Sequence, residues 1–180
     1  MELRDMRFPI DRNYIQYGNS RPGKRLSKVR FIVCHDTGNP GSTAIGNRNY
    51  FNENQPKSSA HAFIDDKQIL EMIPLDEVAY HVRYSVPNDN EIFGYDSNSA
   101  AIGVELCYGG NVNFWEAYTR FVWYHAYLCQ RFGLNPKTKI ASHKQLDPKR
   151  KIDPINVLSR QGISFQQFLS DVYRMYVSLR

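Results

Sequence analysis

Five polar side chains in this sequence are spaced so that one sheet and the loops around it can bring them together: His35, Glu105, His143, Lys151 and Asp153. His35 ends the apolar run from Val29, and His143 follows the apolar triplet Ile140-Ala141-Ser142, so both imidazoles stand where predicted strands give way to polar turn residues. Strand ends of one sheet meet in space, and two imidazoles delivered in this way form half of a metal site. Asp153 supplies a third ligand, leaving a fourth position open to water. That is the layout of a catalytic zinc site, since structural sites are closed by four protein ligands. The alternative role for Asp153 is that of a turn residue ahead of Pro154. Glu105 is a lone acid in an apolar strand, where a carboxylate is rare unless paired or used. Beside an open metal position it serves as general base for the bound water; a salt bridge to a nearby Lys or Arg is the other reading. Lys151 can hold the oxyanion of a tetrahedral intermediate, or be an ordinary surface lysine.

Other reactive residue types read as structural. His125 lies on the apolar stripe of a predicted helix and is expected to be a core histidine. Cys34 adjoins His35, but neighbouring strand residues point to opposite faces, which argues against a thiol–imidazole dyad. Cys34, Cys107 and Cys129 are an odd number and each lies in an apolar segment, so they are expected to be reduced and buried.

The elements that must position these groups follow from hydrophobic patterning. Residues 1–28 are polar and broken by Pro9, Gly18, Pro22 and Gly23, and read as an irregular arm. Val29 to His35 is apolar on both faces, the pattern of an interior strand. Ser42 or Thr43 can cap a short helix through Phe51. Ala60 to Ile64 and Gln68 to Ile73 read as strands of a hairpin joined by Asp65-Asp66-Lys67. Arg83 to Ser99 reads as a long loop whose Tyr84, Phe93 and Tyr95 are placed to rim a groove, and long loops in compact domains are usually functional. Ala100 to Leu106 alternates, with Glu105 on a face of almost no side chain (Ala101, Gly103) that leaves room for something to lie there. Asn113 with Glu116 opens the strongest helix, which carries Tyr118, Phe121, Val122, His125, Leu128, Cys129 and Phe132 and stops at Gly133. Pro148 and Pro154 keep the stretch from His143 to Pro154 loop-like. Ser164 with Gln167 starts a last amphipathic helix. The order predicts an α/β domain, a single mixed sheet with helices packed on it. Its expected divisions are an arm at 1–26, a catalytic domain at 27–160 and a C-terminal helix at 161–180.

The 180 residues can bury a core without disulfides, and the 42% apolar content fits a folded chain. A net charge of +5 suggests an anionic partner. Nucleic acid, acidic lipid and bacterial wall polymers all qualify. Met1 to Arg7 has no apolar run behind its charges, and no stretch is long enough to span a membrane.

Four segments together are recognisable: Phe31-Ile32-Val33-Cys34-His35, Ser59-Ala60-His61-Ala62-Phe63-Ile64-Asp65, Ala101-Ile102-Gly103-Val104-Glu105-Leu106, and His143 to Pro154. In this order, over about residues 27–155, the chain resembles the zinc-dependent N-acetylmuramoyl-L-alanine amidases of type 2, with the T7-type lysozymes and peptidoglycan recognition proteins. The resemblance implies one Zn²⁺ per chain on His35, His143 and Asp153, with Glu105 as acid/base and Lys151 assisting at the transition state. Asp36, His61 and His81 are expected to contact substrate, although Tyr80-His81-Val82-Arg83 departs from the Trp-His-Ala-Gly-like segment common in such enzymes. It further implies peptidoglycan as the partner, a monomer acting without nucleic acid or membrane insertion, and a phage or prophage endolysin. Such an enzyme is made in the cytoplasm without a signal peptide and acts on the wall after release. A non-catalytic peptidoglycan-binding module of the same fold is the rival expectation.

Overall fold

The computed structural model describes residues 8–179, so the reading of Met1 to Arg7 lies outside it. Its centre is strand β2 (Phe31–Asp36), buried along its whole length as its two-sided apolarity requires. β5 (Ala101–Leu106) runs parallel to it on one side and β6 (Ile140–Ser142) on the other. Beyond β5 lie β3 (Ala62–Ile64) and, antiparallel to it, β4 (Ile69–Glu71). The hairpin turn between them is tied by Asp65, whose Oδ1 accepts from Lys67 N and Gln68 N at 2.8 and 2.9 Å. Its Oδ2 accepts from Ala44 N (2.8 Å) at the start of helix α1 (Ala44–Asn54).

The arm is not wholly irregular. Ile10–Arg12 forms β1, parallel to β4, completing a six-stranded mixed sheet in the order β1-β4-β3-β5-β2-β6. Pro9, Gly18, Pro22 and Gly23 spare this stretch, and an exposed edge strand has no strong apolar alternation to announce it. The predicted long loop also holds two short helices, α2 (Pro87–Phe93) and α3 (Ser97–Ala100). Buried Asp89 organises them, accepting from Ser97 N (2.8 Å) and Ser97 Oγ (2.9 Å). The proline-bounded stretch likewise contains a helical turn, α5 (His143–Leu146), which fits because it ends before Pro148.

One face of the sheet carries Ile32, Cys34, Ile102, Val104, Ile64 and Ile69 and is covered by α4 (Phe114–Phe132). Asn113 caps α4, its Oδ1 accepting from Trp115 N and Glu116 N, and Gly133 ends it at φ 64°. Residues 121–129 are buried without interruption, more than the predicted stripe, because a second layer lies outside: after the short α6 (Ile155–Arg160), α7 (Phe165–Ser178) packs on α4. Phe168 inserts against Phe121 and His125, with ring centroids 5.3 and 5.2 Å apart. His125 is a core histidine, as its place on the stripe predicts, its Nδ1 2.7 Å from Phe121 O and its Nε2 3.0 Å from Cys34 Sγ. Cys34, Cys107 and Cys129 are all reduced and buried. No described helix is long and apolar enough to cross a membrane.

Because Phe168 is fully buried against α4, Phe168→Ala should lower the unfolding free energy by about 3–5 kcal/mol. Urea denaturation checks this; an unchanged midpoint would mean that α7 is no part of the folded unit.

Candidate metal centre

The opposite face of the sheet holds the polar cluster, at the carboxyl ends of the parallel strands, where open α/β sheets place their ligands. His35 and Glu105 are direct register partners across β2 and β5, so their side chains leave the same face side by side. β6 passes the chain to His143, the first residue of α5, where Ser142 Oγ caps the turn by accepting from Gln145 N at 3.0 Å. Asp153 returns to the same spot because Lys144 N donates to its carbonyl (3.0 Å), closing the loop on itself.

Three of the predicted residues converge. His35 Nδ1, His143 Nδ1 and Asp153 Oδ2 form a triangle with edges of 3.0, 3.2 and 3.0 Å. Burial, followed by the neighbouring His143, lowers the His35 pKa to about 4, which keeps its imidazole neutral at ordinary pH. Burial works against the charge on Asp153, but hydrogen bonds from His143 and His35 outweigh it and hold the carboxyl well below the usual range. With the bridging ring protons displaced, two nitrogen lone pairs and one anionic oxygen this close together suit a cation. The ligands of a tetrahedral zinc, about 2.1 Å from the metal, stand about 3.4 Å apart. The group fits one metal ion, and its donor types suit zinc.

Around the triangle a cleft of about 530 Å³ is lined by Asp36, Glu105, Lys151 and the three convergent residues, among others. Glu105 is partly buried, and its Oε2 has no hydrogen-bond partner among the described residues. Burial, then the charges of Asp153 and Asp36, push its pKa well up, with Lys151 opposing. No salt bridge holds Glu105 or Lys151 among the described residues. Asp36 stands on the cleft wall, its Oδ1 accepting from Gly38 N at 2.9 Å. Burial raises its carboxyl to about 6, against that hydrogen bond and with help from Asp153.

The two other histidines form a support behind the triangle. His61 is fully buried: Gly103 N donates to its Nδ1 (3.0 Å), so its Nε2–H donates to Glu77 O (3.0 Å). With both ring nitrogens bonded to backbone it has none left for substrate, contrary to the expectation from sequence. His81 lies in the space above Gly103, where the small-residue face of β5 leaves room, with its Nδ1 3.1 Å from His35 Nε2. In the tautomer with the His35 proton on Nε2, donated to His81, the Nδ1 lone pair would face the triangle. His81 also lines the cleft wall.

Asn98 places His81 and is the residue that sequence reading missed. Its Oδ1 accepts from His81 N and Val82 N, both at 2.9 Å, and its Nδ2 donates to Val82 O at 2.7 Å. An Asn in a polar stretch carries no signal to distinguish it from solvent-facing neighbours. The expected aromatic rim is reduced to Tyr84. Phe93 instead stacks on Phe31 in the core at 4.1 Å, and Tyr95 lies under the Arg30 guanidinium at 4.7 Å.

A Cβ at Gly103 would come within 2.5 Å of His81 Cγ and 2.9 Å of its Cβ, too close to the backbone for the ring alone to yield. Gly103→Ala should therefore displace His81, costing about 1–3 kcal/mol of stability and about ten- to a hundredfold in Zn²⁺ affinity. Competition with a chromophoric chelator measures the latter; wild-type affinity would show that His81 does not orient His35.

The family model described as N-acetylmuramoyl-L-alanine amidase matches residues 25–156, which include all the convergent residues. Among curated relatives, the amidase BlyA of Bacillus subtilis is 33% identical over 156 residues, covering 82% of this chain and 42% of its own. The amidase CwlL of Bacillus licheniformis is 34% identical over 153 residues, covering 81% and 41%. The chain thus spans about two fifths of the length of these relatives. A solved mutant endolysin from Bacillus subtilis superposes with a TM-score of 0.74 at 25% identity, covering 92% of this chain and 99% of that one. Staphylococcus aureus AmiA, at 22% identity and a TM-score of 0.78, shares the fold. With the family model matched across sheet and site together, the chain belongs to the type 2 N-acetylmuramoyl-L-alanine amidase family.

Proposed function

We propose that this chain is the hydrolytic domain of a peptidoglycan amidase of the endolysin kind. It cuts the amide between the lactyl group of N-acetylmuramic acid and L-alanine of the stem peptide, with one Zn²⁺ held by His35, His143 and Asp153. The observation that carries this reading is the triangle of two imidazole nitrogens and one carboxylate oxygen, edges 3.0–3.2 Å, beside Glu105, whose Oε2 has no hydrogen-bond partner among the described residues. Zinc at this position supplies Lewis acidity, bringing water toward a pKa of about 7 and polarising a carbonyl.

The chain's own residues supply the proton transfers. Glu105 in its carboxylate form takes the proton of the attacking water, and the burial and the neighbouring Asp153 and Asp36 that raise its pKa make that carboxylate a stronger base. It returns that proton to the nitrogen of L-alanine as the C–N bond breaks, so the amine leaves neutral and the lactyl group leaves as a carboxylic acid, whose remaining water proton then passes to the freed amine or to solvent. Lys151, whose charge already reaches Glu105, offsets the negative charge that develops on the carbonyl oxygen. His81 keeps His35 oriented, and Asp36 on the cleft wall is a candidate substrate contact. The protein is expected to act as a monomer on the bacterial wall, with no nucleic-acid partner.

The non-catalytic module of the same fold predicts a different result for one substitution. Glu105→Gln should keep about one zinc per chain yet lower the release of stem peptides from purified sacculi by about 10²–10⁴-fold. Undiminished turnover would remove Glu105 from the reaction. His143→Ala should lose both zinc, read by metal analysis, and turnover; full activity in a metal-free protein would overturn the metallo-hydrolase reading altogether.

A further inference from the structure

A second and larger cavity, about 830 Å³, adjoins the metal cleft and shares Tyr80, His81, His143, Arg150 and Lys151 with it. One wall belongs to the arm, between Gly18 and Lys24, a segment upstream of the family-model match. The arm is fastened there. Arg21 makes a forked ion pair with Glu77, Nε and Nη2 donating at 2.8 and 2.7 Å, while its Nη1 donates to Ile15 O at 2.8 Å. Tyr17 stacks under its guanidinium at 4.3 Å, Ser20 Oγ donates to Pro56 O (2.7 Å), and Val78 N donates to Lys24 O (2.8 Å). A bidentate pair of this kind is both stronger and more directional than a single contact, so the wall is built rather than draped.

The charges lining this cavity are all of one sign: Lys24, Lys57, Arg83, Arg150 and Lys151, with no carboxylate among the lining residues. Arg150 is paired with Asp147, whereas Lys24, Lys57 and Arg83 have no acidic partner among the described residues. We infer that the arm, with Lys57 and Arg83, forms a cationic subsite that binds the free carboxylates of the stem peptide and makes the arm a specificity element. The inference rests on the amidase reading. The chemistry of the substrate decides which part lies here: the glycan is neutral, because its muramic carboxyl is tied up in the amide to be cut, so the negative charge resides on the peptide. A cavity with only positive side chains, opening from the scissile position, matches the peptide and not the sugar.

The test is steady-state kinetics of the zinc-loaded protein on two soluble muramyl-peptides, one with free stem carboxylates and one with them amidated. Single Lys24→Gln, Lys57→Gln and Arg83→Gln variants should each raise KM for the free-carboxylate substrate by about two- to fivefold, as exposed pairs do. The triple variant should raise it at least about tenfold, with kcat within about twofold and KM for the amidated substrate unmoved. Arg21→Ala, which frees the arm without removing a cation from the cavity, should raise KM for the same substrate; a thermal melt verifies that it is folded. KM unchanged on both substrates, or raised equally on both, overturns the subsite. An effect confined to sacculi that retain phosphate-bearing wall polymers overturns it in favour of that polymer. If the zinc-loaded wild type cleaves neither substrate, the amidase reading itself fails. The subsite is then judged by calorimetric binding of the same two peptides, where equal affinity overturns it.

Discussion

The parallel pairing of β2 with β5 is the constraint on which this molecule turns. Its register sets His35 directly opposite Glu105. Side chains alternate along a strand, so a slip of one residue would send one of the two into the helical core and the other into the cleft. The register is held because the back face of both strands is a row of Ile32, Cys34, Ile102 and Val104 under α4, which only one alignment buries. Hydrophobic burial on one side thereby fixes a polar juxtaposition on the other. β6 adds His143 by the same logic, and only Asp153 depends on a loop.

Electrostatically, the site separates its groups by environment. His35 is kept neutral by burial, Asp153 is kept ionised by the two imidazoles, and Glu105 is pushed toward its protonated form by burial and nearby negative charge. Three titratable groups in one cleft thus hold three different protonation tendencies. Environments that pull pKa values apart are the usual basis for dividing acid, base and ligand roles at neutral pH. None of these tendencies is a property of the residue type alone; each is produced by which neighbours the fold supplies.

Much of this was legible from residues alone where local physics dominates. The interior strand that carries His35, the Asn113 cap and Gly133 stop, the hairpin turn at Asp65 and the core place of His125 are all encoded within a few residues of themselves. The small-residue face of β5 announced a vacancy, and His81 is what occupies it. What could not be read depends on partners far along the chain. The edge pairing of Ile10–Arg12 needs β4, the burial of His61 needs Gly103 and Glu77, and Phe93 is withdrawn from the rim by Phe31. Aromatics in a polar stretch look alike until tertiary packing assigns one to solvent and another to the core.

The contact between Cys34 and His125 joins the two faces of the sheet. Cys34 and His35 are neighbours in β2 that point in opposite directions, one toward the helical layer and the other toward the cleft. Phe168 of the outermost helix touches His125, His125 contacts Cys34, and the next residue in the chain is an imidazole of the triangle. A chain of contacts three side chains long therefore runs from the buried face of α7 to the His35–His143–Asp153 triangle. Thermodynamic linkage makes such a path two-way: an ion that binds only the folded form deepens the stability of the whole domain, and slackness in the helical layer returns as weaker hold on the ion. If the triangle holds an ion, heat tolerance and metal retention become one property observed from two sides.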